Sequence, residues 1–378
     1  MLRVLALLIP AVFVFAACGS DGSVGTEGSR STTSGGATSD GGVAAAGVSG
    51  TARTGSTEVA RAGATATAAG ASGLQPAASA TAGASASAAS AAPSPAASGP
   101  RRVVDLLRVP VGDGKVSTSA RVGYVWRCGS GGGAGGGAGT KGPWFNSDGT
   151  YNATAKAIVD GEVAWPSSFT ASKSGSNRVL SGNALPGHTT GRYPIQPSDD
   201  AYAYDRNPNS IAQQTLSVTL PADPQVASQA SCLAPPFVAV LTSGSVVFDA
   251  LDAENRDAGA WETQDRCAGH PERTGQYHYH TLTDCIADPG SGHSVLFGWA
   301  VDGFGLFGKR GERGESLTND DLDACHGHTH EIDWDGRRVS MYHYHATAEY
   351  PYTISCFKGT PTRLPNTGGG VAPAPTKR

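Results

Sequence analysis

One pattern occurs twice in this 378-residue chain and constrains its folding more than any other feature. The first copy reads Asp265-x-Cys267-x-Gly269-His270, a short connection, Tyr277-His278-Tyr279-His280 and then Cys285. The second reads Asp323-x-Cys325-x-Gly327-His328, a longer connection, Tyr342-His343-Tyr344-His345 and then Cys356. Upstream, the segment from Thr242 to Ala250 stands where Val301 to Lys309 stands in the second copy, at an offset of 59 against 58 at the Asp-x-Cys. Asp, Cys, Gly and His repeated together at one period mean two similar units packed side by side, with elements in matching places.

Alternation of Tyr and His has period two. In a strand, both tyrosines face one side and both histidines the other. Asp335-Gly336 is a hairpin turn signal, because both residues tolerate positive φ. A two-residue turn there pairs His328 with His343, His330 with Met341 and His326 with His345. The reading therefore places His326, His328, His330, Met341, His343 and His345 on one face, with directly opposite Cβ atoms roughly 4.5–5.5 Å apart. Other segments, such as "ARVGYVWRC", "QTLSVTLPA" and "HSVLFGWAVD", are short apolar or β-branched runs bounded by Gly, Pro and Asp. Ser316 to Ala324 offers the one short helix. The expected fold is all-β, mostly antiparallel and sandwich-like, stapled by disulfides and internally duplicated.

Composition divides the chain. "MLR" followed by "VLALLIPAVFVFAA" is a positive start and an apolar run too short for a typical membrane span. It ends in "FAAC", which resembles a bacterial lipobox with Phe15 in place of the usual Leu and makes Cys18 the expected lipidated residue. Residues 1–18 thus read as a lipoprotein-type signal peptide. Residues 19–100, almost all Gly, Ala, Ser and Thr, read as a disordered linker without the apolar surface to offset ordering. A β region is expected over 101–178 and the duplicated domain over 179–360, its halves at about 237–285 and 296–356. A disordered tail is expected over 361–378. The expected location is outside the cytoplasm, on a membrane through the lipid anchor or secreted. Net charge is −4, with no basic patch to suggest nucleic acid.

Export decides the cysteines. Six remain after Cys18: Cys128, Cys232, Cys267, Cys285, Cys325 and Cys356. An even number in an oxidising compartment reads as disulfides, with about 15 possible connectivities. The duplication suggests equivalent bridges Cys267–Cys285 and Cys325–Cys356, which leaves Cys128–Cys232. Gly303 to Gly308 fits GxGxxG, but "KRGERGES" follows where a helix N-terminus is required, so no nucleotide cofactor is expected.

The blocks "GNALPGHTTGRYPI", "NPNSIAQQ", "CAGHPERTGQYHYH", "GWAVDGFGLFG", "LDACHGHTH" and "YHYHAT" resemble, in order, those of the YHYH-domain proteins. The resemblance covers about Val179 to Gly359. It departs at "DGFGLFG", where the family usually has Pro and Tyr, and at His326, where Asn is common. It implies a bacterial, exported domain and supplies no reaction.

Nine of the ten histidines lie between His270 and His345. Imidazole suits copper, zinc and nickel, and a thioether such as Met341 suits copper. The expected function is transition-metal binding, copper or zinc, at one site shared by the copies: His270, His278, His280, His328, His343 and His345. His326, His330, Met341, Asp302 and Asp323 are lesser candidates. Asp265, Asp302 and Asp323 are expected as ligands or as acceptors for imidazole N–H groups. His188 and His293 are expected to be structural. Two alternatives are a metal-dependent hydrolase with Asp302 or Glu331 as base, and a structural or interaction module with a Tyr/His core network. Catalysis is not required by any motif.

Overall fold

The computed structural model describes residues 101–129, 138–234 and 237–364. The signal peptide, Cys18, the linker and the tail beyond residue 364 lie outside them. Among the described residues, no helix is long and apolar enough to cross a membrane.

The fold is mostly β. One eight-stranded sheet carries both copies of the duplicated pattern. Its strands are β1 (Ala239–Leu241), β2 (Val246–Val247), β3 (Gly269–Pro271), β4 (Tyr277–Tyr279), β5 (Leu296–Ala300), β6 (Gly305–Phe307), β7 (Gly327–Trp334) and β8 (Arg337–His345). Their spatial order is β3-β4-β2-β1-β5-β6-β8-β7. The second half is the first half reversed, as a two-fold axis through the sheet requires.

Register locates that axis. β1 and β5 are antiparallel neighbours, with Val240 opposite Trp299. These residues are also 59 apart, the offset between the copies, so the axis passes through this pair. Outward from it the pairings match. Val247 opposite Tyr279 corresponds to Leu306 opposite Tyr344, both in parallel pairs. His270 opposite His278 corresponds to His328 opposite His343, both antiparallel. Ala268 and His326 both have positive φ, at 62° and 75°, and turn the chain between Cys and Gly in each copy.

The hairpin of β7 and β8 has the expected register, with His328 opposite His343 and His330 opposite Met341. Its turn residues Asp335 and Gly336 have φ of 51° and 75°. The expected helix at 316–324 reduces to one 3-10 turn, Asn319–Asp321. The Asp321 side chain bonds back to the Thr318 N–H, and Asp323 accepts from the N–H groups of Cys325 and Gly327. These local bonds compete with helix continuation. A one-turn α-helix not read from the sequence, α1 (Ala258–Trp261), is capped by Asp257.

The three-stranded antiparallel sheet of residues 169–174, 177–182 and 216–221 shares the main apolar core with the large sheet. The expected boundary at 178/179 falls inside its middle strand. Disulfides join Cys267 to Cys285 and Cys325 to Cys356, one in each copy, and Cys128 to Cys232.

Candidate metal centres

The tyrosine face of each YHYH strand is anchored by carboxylates. The Tyr277 hydroxyl donates to Asp265, which also accepts from the N–H groups of Gly191, Cys267 and Gly269. Tyr342 repeats this with Asp323. Tyr344 donates to Asp302 at 2.6 Å, and Asp302 also accepts from Gly359 N–H. Asp265, Asp302 and Asp323 therefore hold tyrosine and backbone donors, not imidazoles. Burial pushes the Asp265 and Asp302 carboxyls above their usual range.

The histidine face forms two clusters. His270, His278 and His280 make the first, and His293, His328, His330, His343 and His345 the second. The expected single shared site is not what the sheet builds. β4 and β8 lie five strand spacings apart, roughly 24 Å at 4.8 Å each, and no ion bridges that distance. A two-fold axis at the sheet centre carries each His face outward.

In both clusters, carbonyls fix the imidazole orientation. His278 Nδ1 lies 3.1 Å from Gln276 O and His343 Nδ1 3.0 Å from Met341 O. His280 Nδ1 lies 2.5 Å from Asp249 O and His345 Nδ1 2.6 Å from Gly308 O; Asp249 and Gly308 are again 59 apart. His293 and His330 face Ser294 O and Glu331 O in the same way. A carbonyl only accepts, so each of these Nδ1 atoms carries a proton; Nε2 presents a lone pair where the ring is neutral, while His280 Nε2 meets the Glu262 carboxylate. His270 Nδ1 lies 3.5 Å from the Asn207 side-chain amide.

The Nε2 atoms converge. His278 and His280 approach to 3.1 Å, His293 and His345 to 3.1 Å, and His293 and His343 to 3.3 Å. Buried Nε2 atoms of His270, His328 and His330 have no hydrogen-bond partner. Glu262, just past α1, brings Oε2 to 3.3 Å from His270 and 3.2 Å from His280. Phe248 stacks on His278, and its counterpart Phe307 lies edge-on to His343.

Burial keeps most of these imidazoles neutral. It pushes His343 down to about 2, with His328 the next cause, and His328 down to about 4. It also pushes His270, His278 and His345 well below 6.5 and lowers His293. His280 differs: burial lowers it, but the Glu262 charge and hydrogen bond raise it overall.

Several residues are placed otherwise than expected. His326 is turned out of the second cluster by its positive φ; its ring meets His345 O, Asn319 and Thr347. His293 joins the cluster, although the sequence marks it only as an isolated histidine. Glu262 carried no motif; its place depends on α1. His188 contacts the Tyr279 hydroxyl at 2.6 Å and lies near Cys267 and Cys285, whose sulfurs are consumed in a disulfide. Glu331 is exposed and reaches Arg338.

Residues 217–319 match the family model described as YHYH protein. The family resemblance read from the sequence is met over that segment, which includes the first YHYH strand, β5 and β6. The second Tyr-His-Tyr-His of the chain, residues 342–345, lies beyond the matched residues. No curated protein and no solved structure matches the chain.

Proposed function

We propose that this YHYH-domain protein binds transition-metal ions, copper or zinc, at two histidine clusters, one in each copy of the duplicated unit. One observation carries the reading: in the second cluster, carbonyl acceptors hold the Nδ1 protons of His293, His343 and His345, so their Nε2 lone pairs face each other at 3.1–3.3 Å with no proton between them. Two lone pairs at that distance repel. A shared metal ion turns the arrangement into coordination. Ligands about 2.0–2.1 Å from a tetrahedral ion are separated by roughly 3.3–3.4 Å. A hydrogen-bonded Tyr/His core would need a proton on one nitrogen of each pair.

In the second cluster, the residues that would hold the ion are drawn from His293, His328, His330, His343 and His345; in the first they are His270, His278 and His280. The ion would supply cross-linking of the strands and Lewis acidity. The test is elemental analysis of the purified full chain after saturation with zinc and gel filtration, with and without chelator. Two ions per chain are expected, with a rise in melting temperature that chelator reverses. A ligand that binds only the folded state adds about 2.7 kcal/mol at a hundredfold excess over Kd. No bound ion would sink the reading.

The proposed location is outside the cytoplasm, on a membrane through a lipid on Cys18. Three disulfides in one domain favour an oxidising compartment. Cys18→Ala should release the protein from the membrane fraction; unchanged membrane retention would refute the anchor.

A further inference from the structure

The two copies agree in their strands, registers and imidazole tethers, but they complete their clusters differently. In the first copy, Glu262 Oε2 lies against His270 Nε2 and His280 Nε2, and His280 Nε2 lies against His278 Nε2. All four side chains are buried. His270 Nε2 has no hydrogen-bond partner. Three contacts of 3.1–3.3 Å join the four donor atoms in one chain, His270 to Glu262 to His280 to His278, beside the cluster of three imidazoles. The carboxylate also supplies the negative charge that a buried divalent ion needs.

The second copy has no counterpart to Glu262. At the corresponding place Asp320 pairs with Arg102, and Asp321 caps the 3-10 turn at Thr318. Two histidines stand in instead. His293 comes from the loop before β5, where the first copy has Ala234. His330 comes from the extended hairpin, where the first copy has Glu272 closing its tight turn through Thr274 and Gln276. This cluster is all imidazole, with five nitrogens for one ion, and His293, His328 and His330 are only partly buried.

Building on the metal-binding reading above, we propose that the sites are different in kind. Glu262 is the fourth ligand of a closed His₃–carboxylate site suited to four-coordinate zinc, and the all-imidazole site of the second copy selects copper(II). Tetrahedral closure by four protein ligands is the habit of structural zinc. Nitrogen-rich sites favour copper(II), which also stands highest in divalent affinity.

The test uses the full chain, stripped with chelator and reloaded with zinc chloride, copper(II) chloride or cobalt(II) chloride as probes. The zinc-loaded parent should exchange one ion when one equivalent of copper(II) is added. His343→Ala should abolish that copper uptake and Glu262→Gln should leave it intact. Glu262→Gln should lower first-site zinc affinity at least a hundredfold. Retained copper uptake then shows that the variant is folded. Cobalt(II) in the unmodified parent should give the intense visible bands of a four-coordinate ion at the first site. Failure of either cluster to take up any of the three ions overturns the metal-binding reading. Two bound zinc ions in Glu262→Gln with parental affinity, or only weak six-coordinate cobalt bands in the parent, overturns the Glu262 site while leaving metal binding in place. Copper displacing zinc from the first site overturns the assignment of the pair.

Discussion

Asp265 and Asp323 occupy the same position in the repeated pattern, yet their surroundings differ. Asp265 is buried and gathers the Tyr277 hydroxyl and three backbone N–H groups. Asp323 is about one-third exposed and is reached by Lys358 as well as Tyr342. Removing an acceptor strands its donors, and each buried unsatisfied donor costs about 1–3 kcal/mol. Asp265→Ala should therefore cost about 4 kcal/mol or more in urea unfolding of the non-reduced chain. Asp323→Ala should cost about 2 kcal/mol less, because water can replace the lost oxygens. Equal losses would contradict the burial argument. The sequence marks both aspartates as important through their repetition. It does not show that their partners are tyrosines, because the Tyr hydroxyls reach them only once β3 pairs with β4 and β7 with β8.

At the scale of the element, the β7–β8 hairpin is the part read most fully from sequence. A two-residue Asp-Gly turn sets the register, and the register puts His328 opposite His343. Gly336 sits at φ of 75° with nothing near the place of a Cβ. A substitution there meets backbone strain alone, about 1–2 kcal/mol for an ordinary side chain. Gly336→Val should lower the melting temperature by about 2–8 °C, at roughly 2–4 °C per kcal/mol for a domain near this size. Gly336→Asn should lower it much less, since Asn tolerates left-handed backbone. A Val variant that melts with the parent would show that the turn is not under that constraint. The first copy has only a short version of this hairpin, β3 to β4. Glu272 closes a tight turn before β4, so no histidine stands where His330 does.

For the whole molecule, burying so many histidines links stability to pH. An imidazole whose folded pKa lies below its unfolded value of about 6.5 gains a proton on unfolding, so its contribution is present above that value and is lost as pH falls. His343, pushed to about 2, and His326 and His328, each pushed to about 4, act in this direction, as do His270, His278, His293 and His345. Asp205 and Asp257, raised to about 6 by burial, act oppositely below that pH, as do raised Asp265, Asp302 and His280. The depressed imidazoles outnumber these, so the metal-free chain should lose stability as pH falls from 7 to 5. Each fully titrating site contributes at most about 1.4 kcal/mol per pH unit. Urea midpoints measured across that range, in the presence of chelator, check the sign; a rising midpoint would contradict it. The disulfides act on the same scale. Cys128–Cys232 spans 104 residues and Cys267–Cys285 only 18. Chain entropy alone assigns about 4.7 and about 3 kcal/mol to loops of such sizes. Replacing the first pair by serines should therefore cost more than replacing the second, as read by urea unfolding; the reverse order would show that native-state strain or residual structure governs.

The sequence by itself determined the β class, the duplication, the period-two separation of Tyr from His, and the hairpin register. Each is local or repeats at a fixed spacing, so it survives in one dimension. Whether two His faces meet or part depends on how the copies pair, and that rests on β1 lying beside β5. The same spacing would have suited a shared site had β4 met β8. The antiparallel pair at Val240 and Trp299 instead sets a two-fold axis through the sheet centre and sends the two histidine faces to opposite ends. Only tertiary structure could bring Glu262 and His293 to those ends, because each arrives from an irregular segment whose position is fixed by packing and not by periodicity.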